Sequence, residues 1–372
     1  MQVSLLLSAV MHNLEDTPFD LEFAVTNRCN LRCVHCDSWR YYEENPEMIQ
    51  TELRIGEIDK IFSSYRGFNV VGITGGEPFL REDLPEIVDI VAKTQRKLKS
   101  LFITSNGQLA ETTLGKVKGI MGKLESVHAS LDFTQLISID GPRDLHDYIR
   151  GSAGVHARAL ETIRLLSDLR KAHPSFHLGT VTCCSPFNID RFDEVIRHIS
   201  ELKKKYDLEP SFCVWFEGQL YKNVGKGKEM KIDEFRMKLI ALIPQIKSVV
   251  KAGSLVSTGR SIFYDLLGLW LENPSTQIVP CGAARIRYFL GPAGDVYPCT
   301  IFNHRINNLR DYDLDLNRLF QSSSRKRTRY LVEEEKCPIC CNTCETIPAM
   351  MAKPVHTTAK WLKSKLRYIP RI

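Results

Sequence analysis

The chain has 372 residues, 43% of them hydrophobic and 25% charged, ordinary globular proportions that exclude a disordered, collagenous or coiled-coil polypeptide. Its length suits two domains, or one large barrel with an appendage. The net charge of +6 lies in the last 21 residues, where Lys353, Lys360, Lys363, Lys365, Arg367 and Arg371 meet no acidic residue, so the body balances to zero and nucleic acid is not an expected partner.

The apolar run Val3 to Met11 is too short to span a bilayer and lacks the basic flank and cleavage site of a signal peptide. Residues 1–18 are therefore read as an ordered N-terminal extension of a cytoplasmic protein. From Phe19 to Glu217, β-like runs alternate with helical ones. The predicted strands are Asp20–Val25, Asn69–Thr74, Ser100–Ser105, Thr134–Asp140, Phe176–Thr182 and Ser211–Phe216. The predicted helices are Glu57–Tyr65, Asp83–Lys97, Glu111–Leu124, His156–Lys171 and Asp190–Tyr206, with Asp83 as N-cap and Pro85 in the first turn. Such repetition predicts parallel strands joined by right-handed crossovers. The fold class is α/β: a partial (β/α)6 TIM-like barrel over 19–217, with its chemistry at the C-terminal ends of the strands. Residues 218–275 read as a helical connection, with a loop at Asn223–Lys228 and helices at Ile232–Lys251 and Ser261–Leu271. A small cysteine-rich domain (276–350) and a basic tail (351–372) complete the chain.

Nine of the twelve cysteines fall in two tight groups, which in a reducing compartment points to metal. Cys29, Cys33 and Cys36 form C-x3-C-x2-C just past the first strand. Three thiolates on one loop can hold three irons of a [4Fe–4S] cluster and leave the fourth open. Four-ligand zinc is the alternative, with His35 available as the fourth. The motif GGEP (Gly75–Pro78) follows the second strand and SNG (Ser105–Gly107) the third. SIDG (Ser138–Gly141) ends the fourth, and HDYIRG (His146–Gly151) comes soon after.

In this order the motifs resemble the radical S-adenosylmethionine (SAM) superfamily over about residues 19–217. The resemblance implies that Cys29, Cys33 and Cys36 ligate a cluster whose open iron chelates SAM. His35 would lie near the adenine. Gly75 and Gly76 would let backbone approach the ligand, and Glu77 would accept from the methionine ammonium. Ser138 and Asp140 would hold the ribose hydroxyls. Arg150 would face the SAM carboxylate or pair with Asp147, and Asn188 offers a polar group after the fifth strand. The implied reaction is reductive cleavage of SAM to a 5′-deoxyadenosyl radical that abstracts hydrogen from an unactivated C–H bond. An external one-electron donor of flavodoxin or ferredoxin type would drive it.

In the second group, 17 residues separate Cys281 from Cys299, and Gly294 stands before Cys299 in GDVYPC. This resembles the opening of the SPASM and twitch auxiliary-cluster domains. The segment CPICCNTC adds Cys337, Cys340, Cys341 and Cys344, two consecutive C-x2-C pairs. The shorter, twitch-like pattern implies one further [4Fe–4S] cluster that relays electrons, held by Cys281, Cys299 and one of those pairs; a zinc ribbon is the alternative. Cys183, Cys184 and Cys213 match no motif and read as buried small hydrophobes.

The substrate is less legible. With 18 residues before the first strand, a self-contained peptide-modifying enzyme with its own leader-binding domain is not expected, though a separate leader-binding protein would allow one. A small molecule is open, as is a non-catalytic iron–sulfur or zinc partner protein. The apolar stretch Ser261–Pro274, as core helix or channel wall, and the tail 360–369 raise a lipid or isoprenoid chain. On a helix, Trp361, Leu362, Leu366, Tyr368 and Ile369 share an arc opposite Lys360, Lys363 and Arg367, while Lys365 intrudes on the apolar side. That arrangement predicts either docking on the protein's own body or contact with an anionic membrane surface.

Overall fold

A computed structural model describes residues 2–127, 131–173, 175–214, 232–250 and 255–367. The predicted loop Asn223–Lys228 and the tail residues Tyr368, Ile369, Pro370 and Arg371 lie outside the described residues. The barrel elements run α1 (Gln2–Glu15), β1 (Asp20–Thr26), α2 (Ser38–Glu44), α3 (Ile55–Ser64), β2 (Val70–Gly75), α4 (Leu84–Thr94), β3 (Ser100–Ser105), α5 (Ala110–Val127), β4 (Asp132–Ser138), α6 (Arg143–Arg150), α7 (Val155–Ala172), β5 (Phe176–Cys184), α8 (Phe192–Tyr206) and β6 (Glu209–Val214). Then come α9 (Ile232–Val250), α10 (Leu255–Glu272), β7 (Arg287–Leu290), β8 (Asp295–Tyr297), β9 (Asn307–Asn308), α11 (Leu316–Gln321), α12 (Ser323–Glu333), α13 (Thr343–Ala352) and α14 (Pro354–Arg367).

Among the described residues, nine strands form one sheet in the order β6-β5-β4-β3-β2-β1-β7-β8-β9. β1 to β6 pair in parallel, and β7 joins the free side of β1, also in parallel. The cysteine-rich region thus extends the barrel's own sheet. Side chains alternate across strands, and in-register partners share a face. One face carries Leu21, Phe23, Ile73, Leu101, Ile103, Phe133, Ile137 and Phe212, all in the main core. Helices α3, α4, α5, α7 and α8 bury their apolar stripes there too. The other face is polar and mostly half-buried. The pairs Thr104 and Leu136, Ser138 and Val181, Val181 and Ser211, and Cys183 and Cys213 line it toward the C-terminal ends. Cys213 is therefore a half-buried inner-face residue beside Cys183, not the buried hydrophobe expected, while Cys184 is in the core.

In α1, Ala9 and Leu5 pack with Phe19, Val70, Ile286 and Ala352. α4 starts after Asp83 with Pro85 in its first turn, but the Asp83 side chain pairs with Arg81 instead of capping the helix. α10 is a core helix, with Phe263, Tyr264, Leu266, Leu267, Trp270 and Leu271 all buried, which removes the channel-wall reading. α14 docks on the body. Trp361 packs against the main core and donates to Asp265 (2.8 Å), and Lys365 pairs with the same carboxylate (2.8 Å). The cation expected to snorkel is thus satisfied within the chain, and the apolar arc is split, with Leu362 turned to solvent. Among the described residues no helix is long and apolar enough to cross a membrane.

Candidate functional site

Cys29, Cys33 and Cys36 sit on the loop between β1 and α2, at the C-terminal end of the sheet. They pack into one recess with Leu31 and Val155. Three motif glycines make that loop fit. A Cβ on Gly75 would lie 2.1 Å from the Thr26 carbonyl oxygen, one on Gly76 2.2 Å from that of Arg28, and one on Gly151 2.2 Å from that of Arg32. Gly75 and Gly151 also have φ of 141° and 76°, which favours glycine. The glycines expected to admit a ligand thus admit the cysteine loop. Backbone bonds from Gly76 to Thr26 (2.8 Å), Glu77 to Arg28 (2.7 Å) and Val34 to Ile149 (2.9 Å) fasten it.

Glu77 is 1% exposed. Its carboxylate accepts from the Phe79 N–H (3.1 Å), the Ser105 hydroxyl (2.9 Å) and the Asn106 N–H (2.7 Å), tying β2 to β3. Burial pushes its pKa up to about 6 against these donors and Arg150. Asn106 reaches on to the cysteine loop, donating to Asn30 Oδ1 (2.8 Å) with its Nδ2 4.0 Å from Cys29 Sγ. SNG is therefore a brace for the loop. Glu52 is a second brace: it accepts from Thr26 and from the Tyr42 hydroxyl (2.9 Å) and lies 3.9 Å from Arg28. Nothing in the motifs points to Glu52.

Arg150 pairs with Asp140, not Asp147: Nε to Oδ2 is 2.7 Å, and Nη1 lies 3.9 Å from Cys33 Sγ. Asp147 instead accepts the N–H groups of Gly154 (2.7 Å) and His156 (2.8 Å). Asp140 is fully buried and also accepts from the Cys183 N–H (3.0 Å). Burial alone would raise its pKa. Arg150, then His35 and His146, and the Cys183 N–H outweigh it and hold the carboxyl down to about 2. Both of its oxygens are engaged within the protein. Asn188 braces the same turn, donating to the carbonyls of Cys183 (2.9 Å) and Asp140 (3.2 Å). His35 and Ser138 are buried beside this group, at the loop and at the end of β4.

The donor set suits an iron–sulfur cluster. Burial first, then the other two thiols and Glu77, push Cys29 up to about 12; burial also pushes Cys33 up to about 11, against the pull of Arg150. Three thiolates in so apolar a recess need cationic partners, which cluster irons supply. A cubane takes each thiolate on a separate iron; among the described residues no set of three or more His, Cys, Asp and Glu closes on a single ion.

Around the second group, Cys281, Cys299 and Cys340 pack together with Ala283, Ile301, Phe302 and Val332. Cys337 is near enough to Cys281 to bear on its pKa, which burial pushes up to about 12. Burial raises Cys340 as well, helped by Cys281 and Cys299. Cys341 lies apart in the main core, bonded to Thr346. Cys344 turns toward Glu22 and Arg287.

A parallel barrel with a three-cysteine loop at the mouth of its first strand defines the radical SAM class of enzymes. The Radical SAM superfamily profile matches residues 23–205, and this chain belongs to that superfamily. It is 37% identical over 123 residues to a probable GTP 3′,8-cyclase of Methanococcus aeolicus, covering 33% of this chain and 39% of that one. It is 36% identical over 155 residues to the antilisterial bacteriocin subtilosin biosynthesis protein AlbA of Bacillus subtilis, covering 41% and 31%. It is 26% identical over 293 residues to the mycofactocin maturase MftC of Mycolicibacterium smegmatis, covering 78% and 66%. The chain thus spans well under half the length of the first two. Among solved structures, anSMEcpe with bound AdoMet and the Cp18Cys peptide aligns over 94% of this chain and 97% of that one, with a TM-score of 0.61 at 15% identity. SuiB of Streptococcus suis aligns over 82% and 66%, with a TM-score of 0.54 at 15% identity. Membership implies a [4Fe–4S] cluster, SAM, an external electron donor and a substrate.

Proposed function

We propose that this radical SAM enzyme modifies a peptide and carries a second iron–sulfur cluster beside its barrel. The observation that carries the reading is the cysteine recess opening onto a half-buried polar sheet face. Cys29, Cys33 and Cys36 would hold the first cluster, which supplies the electron for SAM cleavage. The protein's part is to hold and screen: the glycine-fitted loop fixes the thiols, and Arg150 places a buried cation beside Cys33. His35, Ser138 and the backbone of Gly75 to Glu77 are the proposed SAM contacts.

Thr104, Ser138 and Ser211 give the inner face hydroxyl groups, which suit the amides of a peptide better than a hydrocarbon chain. Three relatives point the same way: one is named for bacteriocin biosynthesis, one is a maturase, and anSMEcpe holds a peptide with AdoMet. The lipid reading loses both supports, since α10 is core and Trp361 and Lys365 are turned onto the body. For the second cluster, the packing of Cys281, Cys299 and Cys340 with Cys337 alongside favours these four as ligands.

The test is anaerobic reconstitution followed by iron counting and assay of 5′-deoxyadenosine with dithionite. The expected result is about eight irons per chain, falling to about four when Cys29, Cys33 and Cys36 are all alanine. Peptides encoded beside the gene should change mass only when SAM is present. Lack of 5′-deoxyadenosine would sink the enzyme reading. Turnover of a small molecule with no peptide modified would sink the substrate class.

A further inference from the structure

We propose that Arg287 and Glu345 form the joint that positions the Cys281–Cys299 region against the barrel, and that Glu345 lowers the reduction potential of the cluster held there. The proposal rests on the reading that Cys281, Cys299, Cys337 and Cys340 bind a cluster. Arg287 opens β7 in register with Asp20 of β1, and its side chain is 3% exposed. The guanidinium is shared among three carboxylates. Nη1 bonds Asp20, Nη2 bonds Glu22, and Nε bonds Glu345 Oε2 at 3.1 Å. The other oxygen of Glu345 accepts from the Thr300 N–H (2.9 Å) and hydroxyl (2.8 Å). Thr300 follows Cys299, and Glu345 follows Cys344 in the first turn of α13. A buried chain of bonds therefore runs from β1, whose far end carries the Cys29 loop, to the peptide unit beside Cys299.

The charges on this chain do not match. Three carboxyl groups share one guanidinium; burial raises the pKa of Asp20 to about 7 and that of Glu22 in the same direction, so the negative excess is complete only above neutral pH. Glu345 is the carboxylate that reaches the cysteine side: its Oε1 accepts from the Thr300 N–H, in the peptide unit that follows Cys299. An electron arriving at a cluster beside an incompletely compensated carboxylate meets repulsion that a low dielectric does little to screen, so the oxidised cluster is favoured.

The test uses the full chain with Cys29, Cys33 and Cys36 changed to Ala and reconstituted anaerobically, so that one cluster remains and its midpoint is read by redox titration with electron paramagnetic resonance. Glu345→Gln keeps an acceptor for Thr300 and removes the charge. It should raise the reduced-to-oxidised ratio at fixed poise about tenfold, which is about 59 mV for a one-electron couple. Asp20→Asn, at a residue not adjoining the cysteines in sequence or ladder and read well above pH 7, where Asp20 is ionised, should shift the midpoint the same way but less. An unchanged midpoint in an iron-loaded Glu345→Gln protein overturns the proposal. If Glu345→Gln loses its iron, Asp20→Asn decides: a positive shift supports the electrostatic role and no shift overturns it. A parent that takes up no iron overturns the cluster reading first, and this proposal with it.

Discussion

The two cysteine groups are held by different physics. The first is a loop fitted against backbone: Gly75, Gly76 and Gly151 touch carbonyls of the cysteine loop, and the buried charges are matched, Asp140 with Arg150 and Glu77 with three hydrogen-bond donors. The second is fastened by side chains, and its charges are unmatched, three carboxylates on Arg287. A site made by close backbone approach tolerates no added atom. A site made by shared charge tolerates added atoms but not the loss of its one cation.

Substitutions sharpen this contrast. The largest effect is expected for Gly76→Ala, whose methyl would enter the Arg28 carbonyl. A loss above about 4 kcal/mol is expected, and what folds should lack only the first cluster's iron; normal iron at both sites would break the comparison. Arg287→Met should cost about 3–5 kcal/mol by stranding three buried carboxylates, read as a lowered denaturation midpoint, with the auxiliary iron lost first. Glu77→Gln keeps part of the brace and should cost about 1–3 kcal/mol, with weakened SAM binding following from a misplaced loop. The smallest effect lies away from both groups. His177 is held by Asp132 and Glu209, whose hydrogen bonds raise its pKa to about 9 against the opposing effect of burial. Its folded pKa is raised, so its contribution is complete below about 6.5 and is lost as pH rises through about 9. His177→Gln should flatten the alkaline limb of the melting temperature between those values, and an unchanged limb would remove the group from the account.

Much of the barrel was legible because its strands obey local rules. Ser100–Ser105 is found as expected, and β1, β2 and β5 lie within two residues of the predicted bounds. β6 starts two residues before Ser211 because it is an edge strand, where Pro210 is tolerated. β4 ends two residues before Asp140, which leaves the ladder and whose side chain bonds Cys183 and Arg150. The two groups of thiols were legible from spacing, but the partner of Arg150 was not, since Asp140 and Asp147 are equally plausible by sequence. Nor does sequence choose between the two consecutive C-x2-C pairs. Asn342 separates them by capping α13 through the Cys344 N–H (3.1 Å), which puts Cys344 in a helix that turns it toward β1. The joining of β7 to β1 was invisible because its partners, Asp20 and Arg287, stand 267 residues apart.

That separation has a consequence for biosynthesis. β1 leaves the ribosome before β2 and can pair with it soon after, yet its other side stays open until β7 is made. At roughly 5–20 residues per second, the interval is about 13–53 seconds. Throughout it the nascent chain exposes an unpaired strand edge bearing Asp20 and Glu22 without their cation. Two carboxylates on one face of an open edge strand repel a like-charged second nascent chain, so the same charges that Arg287 later gathers would guard the half-made sheet against pairing with its neighbours.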